Sequence, residues 1–170
     1  MAGIYSMQEQ METGKTGIFF CEKYLESLSF VEKVINVEEN RNFQKKDIDI
    51  LAKINTKKGK ALTSIEVKCD TYKSGNMYVE TISNKNKNTP GCILYSKADF
   101  LFYFFEKTKI LYIMPMKKFR EWFLLNKNHF TVKYPSTKNS FGKILYESEG
   151  YTVPLKFLER NFPYYKKVLL

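Results

Sequence analysis

Residues 47–69, DIDILAKINTKKGKALTSIEVKC, hold two runs of strand character joined by a lysine-rich turn. In 47–55, Ile48, Ile50, Ala52 and Ile54 recur at alternate positions, and in 62–69 the same alternation picks out Ile65 and Val67. Lys57, Lys58, Gly59 and Lys60 supply the turn, so the stretch predicts a hairpin. Side chains two residues apart leave a strand on the same face. Glu66 and Lys68 are therefore expected together opposite Ile65 and Val67, and Asp47 and Asp49 together opposite Ile48 and Ile50. Antiparallel pairing about the turn brings Asp49 beside Glu66, in a register that pattern alone leaves open.

Such a grouping points to chemistry. Clustered carboxylates repel one another and are costly unless a cation sits among them. Carboxylate oxygens, completed by a backbone carbonyl and waters, suit Mg2+ or Mn2+ better than Zn2+, and no histidine or cysteine cluster argues otherwise. An ion held there would polarise a phosphate oxygen and lower the pKa of an attacking water. Lys68 would steer that water and offset charge at phosphorus.

Working outward, Gly14-Lys15-Thr16 imitates the end of a phosphate-binding loop, but Glu9 stands where the earlier glycine belongs and no strand leads in. Thr16 reads instead as the cap of a first helix with Ile18, Cys21, Leu25 and Leu28 on one face and Glu22 flanking it. Residues 31–37 fit a strand or a continuation of that helix, and 38–46 a loop. Downstream, 76–83 reads as a strand carrying Glu80, a candidate for an outer-shell water, followed by a polar loop, 84–90, with Lys85 and Lys87. The aromatic runs 100–105 and 110–114 form a second hairpin signal. Pro115 opens a helix over 116–126 with Phe119, Trp122 and Phe123 inward and Lys117, Lys118 and Arg120 exposed. A strand pair around Ile144 and Tyr151 turning at Gly150, then an amphipathic segment over 154–160, complete the chain. This order predicts an α/β or α+β fold, a mixed β-sheet flanked by helices, and the length of 170 residues predicts one domain.

Hydrophobic residues at 44% and aromatics at 16% place the chain among packed folds rather than disordered ones. No apolar run is long enough for a membrane span and the N-terminus has no secretory pattern, so a cytoplasmic protein with no membrane partner is expected. Cys21, Cys69 and Cys92 form no CxxC pair and read as free structural thiols of a reducing compartment. The net charge of +10 suits a polyanionic partner. It is uneven: 1–114 hold 17 basic and 14 acidic side chains, whereas 115–170 hold 11 and 4. His129, the only histidine, lies in a polar basic stretch and reads as exposed or structural.

Asp-Ile-Asp-Ile-Leu-Ala at 47–52 and Ile-Glu-Val-Lys at 65–68, after a glutamate-bearing helix, resemble the PD-(D/E)xK nuclease superfamily, in layout closest to Holliday-junction resolvases and small phage nucleases. The resemblance covers 17–83. It implies a restriction-endonuclease-like core, with Asp49, Glu66, the Val67 carbonyl and Glu22 as metal ligands and Lys68 as the catalytic lysine. No proline precedes the aspartate, and either Asp47 or Asp49 fits as ligand, Asp49 being preferred because Ile50 and Leu51 follow it. The implied activity is Mg2+-dependent phosphodiester hydrolysis, with Mn2+ as substitute, on DNA in preference to RNA, by a homodimer. Lys85, Lys87, Lys117, Lys118 and Arg120 would meet the phosphate backbone. A catalytically inactive nucleic-acid- or partner-binding protein and a ribonuclease are the alternatives.

Overall fold

The computed structural model describes residues 4–170, with side chains from Ser6 onward. β1 (Ile4–Ser6) runs directly into α1 (Met7–Glu26), so the first helix starts well before Thr16. Its cap is Ser6, whose hydroxyl accepts from the Glu9 N–H while the Glu9 carboxylate accepts from the Ser6 N–H. This reciprocal box satisfies two amides that a helix start leaves free. Residues 31–37 resolve as a strand, β2 (Val31–Asn36), and the predicted loop after it contains a short helix, α2 (Arg41–Gln44). β3 (Ile50–Thr56) and β4 (Gly59–Asp70) form the expected hairpin, with Gly59 at φ 112 in the turn, a conformation that side chains disfavour.

β5 (Asn76–Asn84), β6 (Thr89–Pro90) and the short helix α3 (Cys92–Tyr95) form the crossover to β7 (Phe100–Phe105), which lies parallel to β4. β8 (Ile110–Pro115) and α4 (Met116–Asn126) follow, then β9 (Thr131–Lys133), β10 (Ser136–Lys138), β11 (Ile144–Glu147), β12 (Glu149–Pro154), α5 (Leu155–Asn161) and β13 (Lys166–Leu169). Among the described residues the main sheet is six-stranded and mixed, in the order β13-β8-β7-β4-β3-β2. A four-stranded sheet, β6-β5-β12-β9, and a small one, β1-β10-β11, accompany it. The fold is thus α+β, a mixed sheet with helices on its faces.

Both faces of the main sheet are covered, which explains why β7 reads as the unbroken apolar run Phe-Leu-Phe-Tyr-Phe-Phe instead of alternating. Phe102 and Phe104 pack with Ile50, Ala52, Ile65 and Val67 beneath Ile18, Cys21 and Leu25 of α1. Leu101, Tyr103 and Phe105 point the other way, into a core shared with Met77, Val79, Phe119, Phe123 and Val153. Each fully buried Ile, Leu or Phe contributes roughly 1.5–3 kcal/mol, so α1 is held by its apolar stripe. No helix among the described residues is long and apolar enough to cross a membrane.

Three local expectations change. The strand begins at Ile50, because Asp47 adopts the left-handed conformation, φ 55, that closes the turn after α2. Asp tolerates that region better than most residues. The alternation is therefore broken before β3: Ile48 packs with the α4-side core, whereas Ile50 packs under α1. β11 and β12 do not pair with each other; β11 pairs with β10, and β12 lies between β5 and β9. Gly150 lies within β12 against the Tyr78 ring, where any Cβ would collide, so its role is close packing and not a turn.

Candidate active site

The site arises where two strands part. β4 pairs with β3 only from Gly59 to Ile65, and with β7 only from Ile65 to Asp70. Beyond the Ile50–Ile65 pair, one edge of β4 therefore faces a gap. Asp49 fills it: its N–H donates to the Ile65 carbonyl at 2.9 Å, and its Oδ2 accepts from the Val67 N–H at 2.8 Å. The Val67 carbonyl leaves the same edge of the strand as that N–H and so faces the same gap.

Glu66 and Lys68 leave the face of β4 opposite α1, as alternation predicts. Glu66 is 2% exposed. Its Oε1 accepts from Lys68 Nζ at 2.6 Å, and the Lys68 side chain as a whole is 39% exposed. The Asp49 charge is felt at the Glu66 carboxyl. Asp47 also stands near Glu66. One oxygen each from Asp47 and Glu66 and the Cys92 sulfur lie within 4.8 Å of one another. Asp47 Oδ2 and Glu66 Oε2 are buried without any hydrogen-bond partner.

Electrostatics show what this costs. Burial pushes the Glu66 carboxyl well above the ordinary glutamate range; Lys68 pulls it back, and the Asp49 and Asp47 charges add to the rise. Burial likewise raises Asp49, against the Val67 N–H and the Lys68 charge. For Lys68, burial works to lower the pKa, but the Glu66 and Asp47 charges outweigh it and hold the ammonium protonated. Two buried acceptors left bare beside a third acid are costly unless a cation or a donor compensates them. Oxygen donors of this kind fit a divalent ion.

α3 frames the site from the far side. The Tyr95 hydroxyl donates to Asp47 Oδ1 at 3.1 Å, and the Ser96 hydroxyl to the Asp47 carbonyl at 3.0 Å. Arg120 is not an exposed cation: its guanidinium donates to the Ile93 and Ser96 carbonyls at 2.5 and 2.6 Å, clamping the end of α3 onto α4. Glu80, half-buried on β5, lines with Lys68 and Cys92 a cavity of about 110 Å³ between the sheets, room enough for ordered water. Burial raises the Glu80 carboxyl and the Lys68 charge opposes that rise.

Sequence position thus brings Asp47, Asp49, Glu66, Lys68, Val67 and Glu80 to one place. Glu22 lies outside the Asp47–Glu66–Cys92 cluster, on the helix that covers the Ile65 and Val67 face; its charge is felt at Cys21 and Glu38, both of which also feel Asp49. Cys92 and Tyr95 were not legible, since nothing in spacing links a short helix after a glycine to a hairpin far upstream. Of the cationic candidates, Lys85 is paired with Glu147 at 2.7 Å and lies over the Tyr134 ring, and Lys118 lies 3.6 Å from the centre of the Tyr164 ring. Lys87 and Lys117 are exposed, as is His129.

No family model matches the chain, and no curated protein matches it in sequence. Among solved structures it is similar to a bacterial homing endonuclease, at 17% identity over 66% of this chain and 72% of that one, with a TM-score of 0.47.

Proposed function

We infer that this protein is a metal-dependent nuclease of the PD-(D/E)xK type that hydrolyses phosphodiester bonds in DNA. The observation that supports it best is the pair of bare, buried oxygens on Asp47 and Glu66, with Asp49 and an ammonium beside them. Asp47 and Glu66 would hold the ion, with Asp49 and the Val67 carbonyl lining the gap beside it. Mg2+ or Mn2+ bound there supplies Lewis acidity and a water of lowered pKa. The chain's own residues do the rest. Val67 N–H fixes the Asp49 carboxylate, Tyr95 fixes Asp47, and Lys68 is tethered to Glu66, where its charge would orient a water and offset charge on a phosphate. The net charge of +10, with the exposed Lys87 and Lys117, would hold the backbone without reading sequence. A homodimer would set two such sites against two strands, as a branched or duplex substrate requires.

The test is a cleavage panel of linear duplex, single-stranded and branched DNA and RNA with Mg2+, Mn2+ or EDTA, run beside Glu66→Ala and Lys68→Ala. Cutting that needs the ion and is lost in both variants supports the reading. A Glu66→Ala variant as active as the parent removes the site assignment. Salt-sensitive binding without cutting of any substrate favours the binding-protein alternative.

A further inference from the structure

We propose that Cys92 is a ligand of the same ion site, which makes the site a binder of thiophilic divalent ions, Zn2+, Cd2+ and Co2+, in preference to Mg2+. This deepens the nuclease reading and rests on its carboxylates. An all-oxygen site is what the hairpin residues alone imply; the structure adds sulfur. Cys92 is buried at the start of α3, and its Sγ lies within 4.8 Å of oxygens of both Asp47 and Glu66. Small side-chain rotations close such a triangle around one ion, for which metal–oxygen and metal–sulfur bonds run about 2.1–2.3 Å. The thiol is also held in place. Arg120 clamps the carbonyls of Ile93 within α3 and of Ser96 just after it, and Tyr95 ties that helix to Asp47 itself. Independently of the cysteine, Glu66 Oε2 is buried on a side chain 2% exposed and has no hydrogen-bond partner.

Sulfur donors discriminate by softness. A thiolate adds little to the binding of Mg2+, a hard ion that keeps its waters, and much to that of Zn2+ or Cd2+. On binding, the thiol gives up its proton to solvent and a metal–sulfur bond forms, with no change of oxidation state. The consequence for the activity is competitive inhibition: a thiophilic ion occupies the acidic group that Mg2+ would otherwise use.

The experiment is a Cd2+ titration of the full chain under reducing conditions, followed by the thiolate-to-Cd2+ charge-transfer absorption, in the parent and in Cys92→Ser, Cys21→Ser and Cys69→Ser. The inference expects a saturable band in the parent and in the Cys21 and Cys69 variants. In Cys92→Ser the band is lost and Cd2+ binds about tenfold or more weakly. Excess Mn2+ should lower the band in the parent, which keeps the test valid if the Cys92 variant does not fold. No band in the parent, a band that survives Cys92→Ser, or a band indifferent to Mn2+ would each overturn the inference. A chain that shows the competed band yet cuts nothing keeps this inference and loses the nuclease reading. One that cuts with Mg2+ but shows no band does the reverse.

Discussion

Replacing Asp47 by Asn should stabilise the metal-free protein and abolish its response to divalent ions. In the parent, Asp47 Oδ2 and Glu66 Oε2 are buried acceptors with no donor, and the Asp47 charge adds to the raised pKa of Glu66. Asparagine keeps the acceptor for the Tyr95 hydroxyl and places an amide N–H where it can donate toward Glu66. Relieving an unpaired buried acceptor is worth about 1–3 kcal/mol. For a chain of 170 residues each kcal/mol moves Tm by about 2–4 °C, so Tm in EDTA should rise by about 2–12 °C. In the parent, Mn2+ at a hundred times its Kd should add about 2.7 kcal/mol, or about 5–10 °C. The variant should show little of that shift. The assay is thermal unfolding of both proteins in EDTA and across a Mn2+ series. If Asp47→Asn is less stable than the parent in EDTA, or is stabilised by Mn2+ to the same extent, then these oxygens do not form an ion site.

Stability without metal should fall with rising pH. Burial raises Glu66, Asp49 and Glu80, so the folded state binds their protons more tightly than the unfolded one. Their stabilising contribution is complete below the ordinary glutamate value of 4.5 and is lost as pH climbs through the raised values, while the Mn2+-induced Tm shift grows over the same range. Tm measured from pH 4 to 8 in EDTA and in Mn2+ checks both trends; a flat EDTA profile would contradict them. Arg120→Ala should cost about 2 kcal/mol or more through two lost charge-assisted bonds to α3, weaken Mn2+ binding through Asp47, and speed amide exchange in α3. An effect confined to nucleic-acid affinity would restore Arg120 to the surface contacts. Gly91→Ala should destabilise by about 1–3 kcal/mol, because its Cβ would collide with the Glu80 carbonyl where β5 meets α3; chemical denaturation reads this directly.

The hairpin was legible because it is local: alternation, a lysine–glycine turn and the two-residue spacing of Glu66 and Lys68 all lie within one stretch. Beyond it, legibility depended on distance and on exceptions to the period. The left-handed Asp47 broke the alternation that had placed Ile48 with Ile50, and with it the assumption that both aspartates share a strand face. The two acids also differ in their partners: Asp47 keeps an oxygen without a donor, while Asp49 Oδ2 is engaged by the Val67 N–H. The start of α1 was written in Ser6-Met-Gln-Glu9, a capping box, but the following turns are too polar to show a helical stripe. Cys92, Tyr95 and Arg120 meet the hairpin only through the crossover between β4 and β7, and no local rule pairs them with it. Nor does spacing say that β5 leaves the main sheet to join β12.

Anomalous diffraction from crystals soaked in Mn2+ tests the central claim most directly. The account predicts a peak roughly 2.1 Å from Asp47 Oδ2 and Glu66 Oε2, on the face of β4 opposite α1 and near Cys92. Saturating Mn2+ that leaves no peak between those two oxygens, or that collects elsewhere on the surface, would contradict it.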